Sequence, residues 1–379
     1  MKNNIFLKIK STFVSTYFWF FVFLLLILAS FFVAPEFFST KISNEIKNII
    51  AKPEENKIPI LPPLDTVAYD KKLNELANNP LPVIPVVKKD KNGNTITPIE
   101  TPVSKINLWP VKTVYPNTGA ILPFNRVVAY YGNLYSKNMG ALGQYGEDEM
   151  IERLGAEVKE WQKADSLTPV IPALHYIAVV AQAKAGEDGK YRIRMPDSEI
   201  DKVIEMAKKI NALVFLDIQV GFSNLQTEIP LLEKYLKMPQ VHLGVDPEFS
   251  MKTDIRPGKI VGTLDASDIN FAANYLAKIV KENNLTPKIL VIHRYTQKMV
   301  TNYKEIKPLP EVQVVMHMDG WGGAAKKINT YQQFIYKEPV QFTGFKLFYK
   351  NDVLEKGTTL MIPNDLLKLN PQPIYIQYQ

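Results

Sequence analysis

Two carboxylate side chains, Asp246 and Glu248, end the apolar run VHLGVDPEF, which extends from residue 241 to residue 249. Residues two apart on an extended strand point to the same side, so this spacing predicts that both carboxyl groups project together. Neighbouring carboxylates repel each other, and the repulsion raises the pKa of one of them towards the range of a general acid. The pair therefore indicates acid catalysis. The alternative is that Asp246 caps a loop and Glu248 meets a lysine at the surface.

Further polar residues stand near the ends of neighbouring apolar runs. Asp217 in LDIQV and Asp319 in HMDGW are the other candidate catalytic carboxylates, and a hydrogen bond to a loop amide is the alternative for each. The residues that we expect to bind substrate are Tyr131, His175, Gln219, His293, Arg294, Trp321 and Lys346. Trp321 stands between two glycines, and its flat ring suits a sugar. For His175 and His293, a role as satisfied core histidines stays open.

The same region also has the composition of a divalent-metal site. The residues concerned are His175, Asp217, Asp246, Glu248, His293 and Asp319. Such a site would hydrolyse an ester, an amide or a phosphodiester through a metal-bound hydroxide. The chain has no cysteine, which excludes disulfides and thiolate zinc sites, and it has no H-x-H or H-E-x-x-H spacing. We therefore expect no metal and no other cofactor, and a metal-dependent hydrolase is the alternative.

Eight apolar, strand-like runs follow residue 124 and alternate with helical segments. The runs are 127–132, 168–176, 212–220, 241–249, 288–295, 312–321, 344–350 and 373–379. Most are continuously hydrophobic, which is typical of parallel strands covered on both faces. Amphipathic patterns, such as Met150, Leu154 and Trp161 on one face, predict helices between them. This order predicts an α/β fold, a (β/α)8 TIM barrel over residues 125–379, with its working residues at the carboxyl ends of the strands.

The N-terminal part of the chain differs from the rest. Residues 13–34 are almost wholly apolar and carry no charge, which is long enough to span a membrane. The lysines in residues 1–12 predict a cytoplasmic tail, and the absence of a lipidatable cysteine favours an uncleaved signal anchor. Residues 35–124 carry recurrent prolines, which predict an extended extracytoplasmic stalk. We therefore expect a single-pass protein of the cell membrane whose barrel lies outside the cytoplasm.

The charge of the 379-residue chain is mildly positive. Lys and Arg number 45 and Asp and Glu number 38, which gives a formal charge of +7. The two signs are interspersed and form no basic stripe, so we expect no nucleic-acid partner. A small positive excess suits a protein beside anionic lipids or wall polymers. The expected partners are the membrane and a cell-wall or capsular glycan.

The predicted barrel, its stalk and the Asp246-Pro247-Glu248 segment resemble secreted glycoside hydrolases, and more loosely chitinase-type and muramidase-type barrels. In those families the Glu of a D-x-E that ends strand four protonates the glycosidic oxygen, and the Asp assists. The resemblance implies that Glu248 is the acid, Asp246 its assistant, and Asp217 or Asp319 the second carboxylate. The segments LDIQVG, GVDPEF, IHRYT and GFKLFYK also resemble an uncharacterised bacterial family of surface proteins, which implies no activity.

Together these patterns predict a membrane-anchored extracytoplasmic glycan hydrolase that acts on cell-wall or capsular polysaccharide. Two alternatives remain open. The first is the divalent-metal hydrolase described above. The second is a non-catalytic barrel that binds a glycan or a partner protein, since the fold alone does not imply an activity.

Overall fold

The computed structural model describes residues 61–80, 88–89, 95–96 and 107–379. The predicted cytoplasmic tail and the predicted membrane span, residues 1–12 and 13–34, lie outside the described residues. No helix in the described ranges is both long enough and apolar enough to cross a bilayer. One compact unit extends from Pro62 to Gln379, and so it includes residues that the sequence analysis assigned to the stalk.

Eight parallel strands form a closed barrel. The strands are β1 (Arg126–Gly132), β2 (Val170–Ala181), β3 (Leu213–Ile218), β4 (Val241–Val245), β5 (Lys288–Arg294), β6 (Val312–Met318), β7 (Phe342–Leu347) and β8 (Tyr375–Tyr378). Each strand pairs with the next along the chain, and β8 returns to β1 with Tyr375 opposite Val127, which closes the sheet. The eight strands and the (β/α)8 barrel expected from the apolar runs are therefore confirmed.

Several strand ends differ from the sequence expectation, and two of the differences bear on the site. Strand β4 ends at Val245 and not at 249, because Pro247 has no backbone N–H to donate to the sheet and begins a short 3₁₀ turn, Pro247–Phe249. Strand β2 continues to Ala181, where it pairs antiparallel with a short strand, Arg192–Arg194. Asp246 therefore lies in the turn after β4, and the argument that Asp246 and Glu248 share one face of an extended strand is wrong.

Helices cover the outside of the barrel. The longer ones are α1 (Thr66–Ala77), α2 (Glu147–Ala164), α3 (Asp197–Lys209), α4 (Ala266–Glu282) and α5 (Ala324–Tyr331), and α5 continues as a π-helix over Gln332–Tyr336. Four-residue helices lie at Ala141–Gln144, Leu225–Glu228, Glu233–Leu236 and Pro363–Leu366. Helix α4 begins with a capping box, in which Asp265 accepts from the Ser267 amide and Asp268 accepts from the Asp265 amide. Asp265 is thus the cap, and Ser267 is the second residue of the helix.

Some connections contain no full helix. Within the continuously described residues 107–379, the chain from β5 to β6 has 3₁₀ turns at Gln297–Met299 and Tyr303–Glu305 and a two-residue strand, Val300–Thr301, that pairs with Leu264–Asp265. After β7 there are a 3₁₀ turn at Asn351–Val353 and the short helix at Pro363–Leu366. These are the two connections in which the sequence pattern predicted short helices.

The amino end of the barrel is closed by residues that precede β1. Tyr69 and Leu76 of α1, together with Leu122, pack in one buried cluster with inward residues of the strands, among them Phe215. The Leu122 amide donates to the side chain of Gln313 at 3.0 Å, and the Gln313 side chain returns a hydrogen bond to the Leu122 carbonyl at 2.6 Å. Helix α1 therefore belongs to the folded unit as the floor of the barrel. The carboxyl ends of the strands are left open.

Candidate active site

A cavity of about 550 Å³ opens at the carboxyl ends of the barrel strands. Seven of the residues predicted for the site line it: Tyr131, Gln219, Asp246, Glu248, Asp319, Trp321 and Lys346. They come from β1, β7 and the segments that follow β3, β4 and β6. The position agrees with the general rule that side chains at this end of a barrel form the working site.

Asp246 and Glu248 reach the cavity from a turn. The Oδ1 atom of Asp246 accepts a hydrogen bond of 3.0 Å from the amide of Glu248, which fixes the start of the 3₁₀ turn. Asp246 therefore caps the turn, as the alternative to catalysis supposed, and Asp246 also lines the cavity. The hydroxyl of Tyr295, the residue after β5, lies near the Glu248 carboxyl and acts to lower its pKa.

Burial sets the acidity of these two carboxyl groups. It raises the pKa of Asp246 well above its ordinary value; the positive His293 opposes the shift, and the charge of Glu248 adds to it. The pKa of Glu248 is raised by burial and then by the charge of Asp319, against the hydrogen bond from Tyr295. Both groups therefore hold their protons more tightly than free carboxyl groups do, and their mutual repulsion is a smaller cause than the sequence pattern suggested.

Asp319 has the opposite environment although it lines the same cavity. Its Oδ1 lies 3.1 Å from Lys346 Nζ, and its Oδ2 accepts a hydrogen bond of 2.8 Å from His293 Nδ1. Burial would raise the pKa of Asp319, but the positive charges of Lys346 and His293 outweigh it and hold the pKa well below the usual range. Asp319 therefore loses its proton more readily than Asp246 and Glu248, which line the same cavity.

Three predicted residues lie beneath the cavity. His175, Asp217 and His293 are fully buried inward residues of β2, β3 and β5. Asp217 Oδ1 lies 3.2 Å from His175 Nε2 and 3.4 Å from His293 Nε2. Burial lowers the pKa of His175 to about 4. Burial also acts to lower the pKa of His293, but the charges of Asp217 and Asp319 prevail and raise it to about 10.

A hydrogen-bonded chain joins this buried layer to the cavity. The Tyr131 hydroxyl donates to Asp217 Oδ2 at 3.2 Å. The side-chain amide of Gln219 donates to the Tyr131 hydroxyl and to Asp246 Oδ2, each at 3.3 Å. Lys346 Nζ lies 3.7 Å from the centre of the Tyr131 ring. The cavity is thus separated from the three buried residues by Tyr131, Gln219 and Lys346, and the contacts of these side chains also connect the cavity with the buried layer.

An exposed indole stands at the rim. Trp321 is 48% exposed, and Lys326 Nζ lies 4.4 Å from its ring centre. The loop that carries Trp321 is held by buried groups: Lys327 Nζ donates to the Gly320 carbonyl at 2.8 Å and lies 2.9 Å from Asp352, which accepts from the Gly322 amide at 2.9 Å. The indole is therefore presented to solvent by a fixed loop.

Arg294 does not reach the cavity. Residues alternate in direction along a strand, so Arg294 points away from the barrel interior into which its neighbour His293 projects. It is fully buried, donates to the carbonyls of Gln297, Val300 and Phe334, and lies 2.5 Å from Glu338. These contacts give Arg294 a role in structure, and it is not among the residues that line the cavity.

Several residues of the site were not among those predicted. Tyr295 and Phe249 were noted only as rim aromatics, although both line the cavity. Tyr295 directly follows β5, and the rule that strand ends form the site could have found it. No signal in the sequence singled out Asn138 of the β1 loop, or Lys327 and Asp352, whose importance comes from contacts across the fold.

Comparison with known proteins found structural similarity alone. No protein-family model matches the chain, and no curated protein matches it. Solved structures that resemble it include the cellulase Cel5C_n, with a TM-score of 0.40, 14% identity, and coverage of 71% of this chain and 79% of that one. The endoglucanase Cel5A of Thermotoga maritima has a TM-score of 0.36 and 12% identity, with coverage of 66% and 88%. The mannanase man26 of Bacillus subtilis has a TM-score of 0.36 and 13% identity, with coverage of 70% and 88%. Similarity at this level does not establish a shared activity, and the barrel fold rests on the strand pairing described above.

Proposed function

We propose that this protein hydrolyses glycosidic bonds in a cell-wall or capsular polysaccharide, with Glu248 as the general acid. The single observation that carries the proposal is the pairing of unlike carboxyl groups in one open cavity. Glu248 is mostly buried beside Tyr295, whereas Asp319 forms an ion pair with Lys346. One acid and one carboxylate are the two groups that hydrolysis of a glycosidic bond requires.

Each carboxyl group has a definite part in this reaction. Glu248 gives its proton to the glycosidic oxygen as the bond between that oxygen and the anomeric carbon breaks. Asp319 stabilises the positive charge that develops at the anomeric carbon; water then supplies the hydroxyl group of the new reducing end and gives its other proton to the ionised Glu248, which restores the acid. Asp246 assists by holding the Glu248 amide, which fixes the turn that carries the acid.

The rim of the cavity supports a sugar as the substrate. The half-exposed indole of Trp321 presents a flat apolar face, and polar side chains such as Gln219 and Asp246 lie deeper in the cavity. Sugar rings combine an apolar face with a periphery of hydroxyl groups, and they are bound by this combination of groups.

The place of action is also part of the proposal. The apolar residues 13–34 anchor the protein in the cell membrane, with the barrel on the extracytoplasmic side.

The test is the release of reducing ends from purified cell-wall and capsular polysaccharides by the full-length protein in detergent. We expect Glu248→Gln to lower the rate by about 10²- to 10⁴-fold, the usual contribution of a general acid. Glu187→Gln, which changes an exposed loop carboxylate, is the matched control and should retain the wild-type rate.

Two results would contradict the proposal. Full activity of Glu248→Gln on a cleaved polysaccharide would remove Glu248 from its role. Saturable binding of polysaccharide without any released product, by wild type and variant alike, would show the barrel to be a binding protein.

A further inference from the structure

Three potential metal ligands converge one layer below the cavity. His175, Asp217 and His293 are all fully buried, and one ligand atom from each lies within 4.8 Å of the other two. We propose that the Nε2 atoms of both histidines and Oδ1 of Asp217 bind one divalent cation of the zinc class. This inference does not depend on the proposed glycan hydrolysis, and it departs from the expectation that the protein needs no metal.

The two separations between Asp217 and the histidines fit a tetrahedral ion. Asp217 Oδ1 lies 3.2 Å from His175 Nε2 and 3.4 Å from His293 Nε2. Zinc binds imidazole nitrogen and carboxylate oxygen at about 2.0–2.1 Å, and two ligands at a tetrahedral angle are then about 3.3 Å apart. Both measured separations therefore match the ligand-to-ligand distance of a zinc site.

The same three atoms have no other partner. His175 Nε2, Asp217 Oδ1 and His293 Nε2 are buried and make no hydrogen bond. Buried polar atoms nearly always have a partner, so three unpartnered atoms that face one another need an explanation. A cation bound between them would satisfy all three together.

Each ligand is also held through its other polar atom. His175 Nδ1 hydrogen-bonds to the Tyr375 hydroxyl at 2.5 Å, and His293 Nδ1 donates to Asp319 Oδ2 at 2.8 Å. Asp217 Oδ2 accepts from the Tyr131 hydroxyl at 3.2 Å. Metal-binding histidines almost always donate their second ring N–H to a carboxylate or another oxygen, which leaves the Nε2 lone pair for the metal. His293 has this arrangement through Asp319, and the Nδ1 atom of His175 is held by the Tyr375 hydroxyl.

The space beside the ligands is kept open by a glycine. Gly244 lies on β4, opposite Asp217 in the strand register. A methyl group at Gly244 would collide with Asp217 Oδ1 and with His175 Nε2. Any larger residue would therefore fill the space that the proposed cation needs.

The donor set indicates the class of cation. Two imidazoles and one carboxylate suit zinc and neighbouring transition metals, whereas magnesium and calcium prefer oxygen ligands alone. The ion would also act on the cavity, since its ligand Asp217 is joined to Asp246 through Tyr131 and Gln219. A bound ion would thus fix the position of Asp246, which makes its ligands positioning residues for the site above.

The experiment measures metal directly in the full-length protein. The protein is purified in detergent, stripped with a strong chelator, dialysed, and titrated with Zn²⁺, with elemental analysis of the washed product. Replacement by Co²⁺ provides a second readout, because a tetrahedral cobalt site has a characteristic visible absorption. We expect one zinc per chain, one cobalt with that absorption, and a lower melting temperature after stripping.

Variants separate this site from adventitious binding. Asp217→Asn keeps the shape of the side chain and should lose the stoichiometric zinc, as should His175→Gln. The matched control is His242→Asn, which changes another fully buried histidine at the opposite end of the barrel and should bind one zinc. A wild-type protein that binds no zinc or cobalt would overturn the inference, and so would zinc binding by both ligand variants equal to that of the wild type. Metal content is independent of polysaccharide cleavage, so each proposal can fail without the other.

Discussion

Glu248 owes its raised pKa to burial and to the charge of Asp319. The adjacent Asp246, whose repulsion first suggested an acid here, is not among the main causes of that shift. Burial also acts to raise the pKa of Asp319, but there the positive charges of Lys346 and His293 overcome it. At the scale of single residues, the carboxyl groups of the candidate site therefore differ in pKa because their charged neighbours differ.

The pH dependence of the activity follows from Glu248. A general acid must be protonated, so kcat/KM should fall as the pH rises through the raised pKa of Glu248. The Tyr295 hydroxyl stabilises the ionised form and lowers this pKa, so Tyr295→Phe should move the fall in activity to higher pH. Lys346 and His293 act in the same direction as Tyr295, and Asp319 acts against them.

The measurement is the pH profile of kcat/KM for polysaccharide cleavage by wild type and Tyr295→Phe. A shift of the alkaline limb to lower pH in Tyr295→Phe would contradict the assignment. The contribution of Glu248 to stability should change with pH in the same direction as the activity. The folded state binds the Glu248 proton more tightly than the unfolded chain, so the contribution of this group to stability is present at low pH and is lost as the pH rises through the raised pKa.

At the scale of elements, the ends of the strands are fixed by contacts on the outer side of the barrel. Arg294 at the end of β5 binds several loop carbonyls and Glu338, and Lys327 with Asp352 holds the loop of Trp321. These groups touch no substrate. They determine where the segments that carry Tyr295 and Trp321 leave the barrel.

Arg294→Met should destabilise the fold and leave substrate binding intact. It removes one partner of a buried ion pair, which typically costs about 3–5 kcal/mol, because the remaining charge of Glu338 stays buried. The measurement combines the free energy of unfolding in urea with KM for the polysaccharide. A large rise in KM without loss of stability would show instead that Arg294 binds substrate, as the sequence analysis expected.

Helix α1 should contribute to stability through its inner face alone. Leu76 is 9% exposed and packs against inward residues of the barrel strands. Leu76→Ala should therefore lower the free energy of unfolding by about 2–5 kcal/mol. Val67 on the same helix is 79% exposed, and Val67→Ala should change the free energy of unfolding by less than about 0.5 kcal/mol. Equal effects of the two changes, measured by urea unfolding, would contradict the packing of α1 as the floor.

At the scale of the whole molecule, the proposed tasks belong to two separate parts of the chain. The compact unit from Pro62 to Gln379 contains the closed barrel, its floor and the candidate site. The apolar residues 13–34 and the residues that follow them carry the proposal of membrane attachment. Anchoring and catalysis are therefore expected to be separable by truncation.

A chain that begins at residue 62 should be released from membranes and keep the melting temperature of the full-length protein. The full-length protein should remain in the membrane pellet after an alkaline carbonate wash, because a spanning apolar segment is not removed by charge or pH. A chain that begins at residue 107 lacks α1 and should melt at a lower temperature. Release of the full-length protein by the wash would contradict the anchor, and equal melting of the two shorter chains would contradict the role of α1.

The sequence by itself determined the strands, the barrel and the end of the barrel where the polar residues gather. These properties are local, since continuous apolar runs and helical periodicity record which faces are buried. Seven of the predicted residues line the cavity for this reason. Alternation along a strand could also have assigned Arg294, next to His293, to the outside of the barrel.

Only the tertiary structure decided how these residues meet. His175, Asp217 and His293 lie on three different strands, and their separations of 3.2 and 3.4 Å exist because the sheet closes into a barrel. The same closure places them below the cavity and leaves Asp246 and Glu248 within it. In the sequence, helix α1 lies within the segment predicted to be a proline-rich stalk. The structure places it under the barrel because the apolar residues at the amino ends of the strands must be covered.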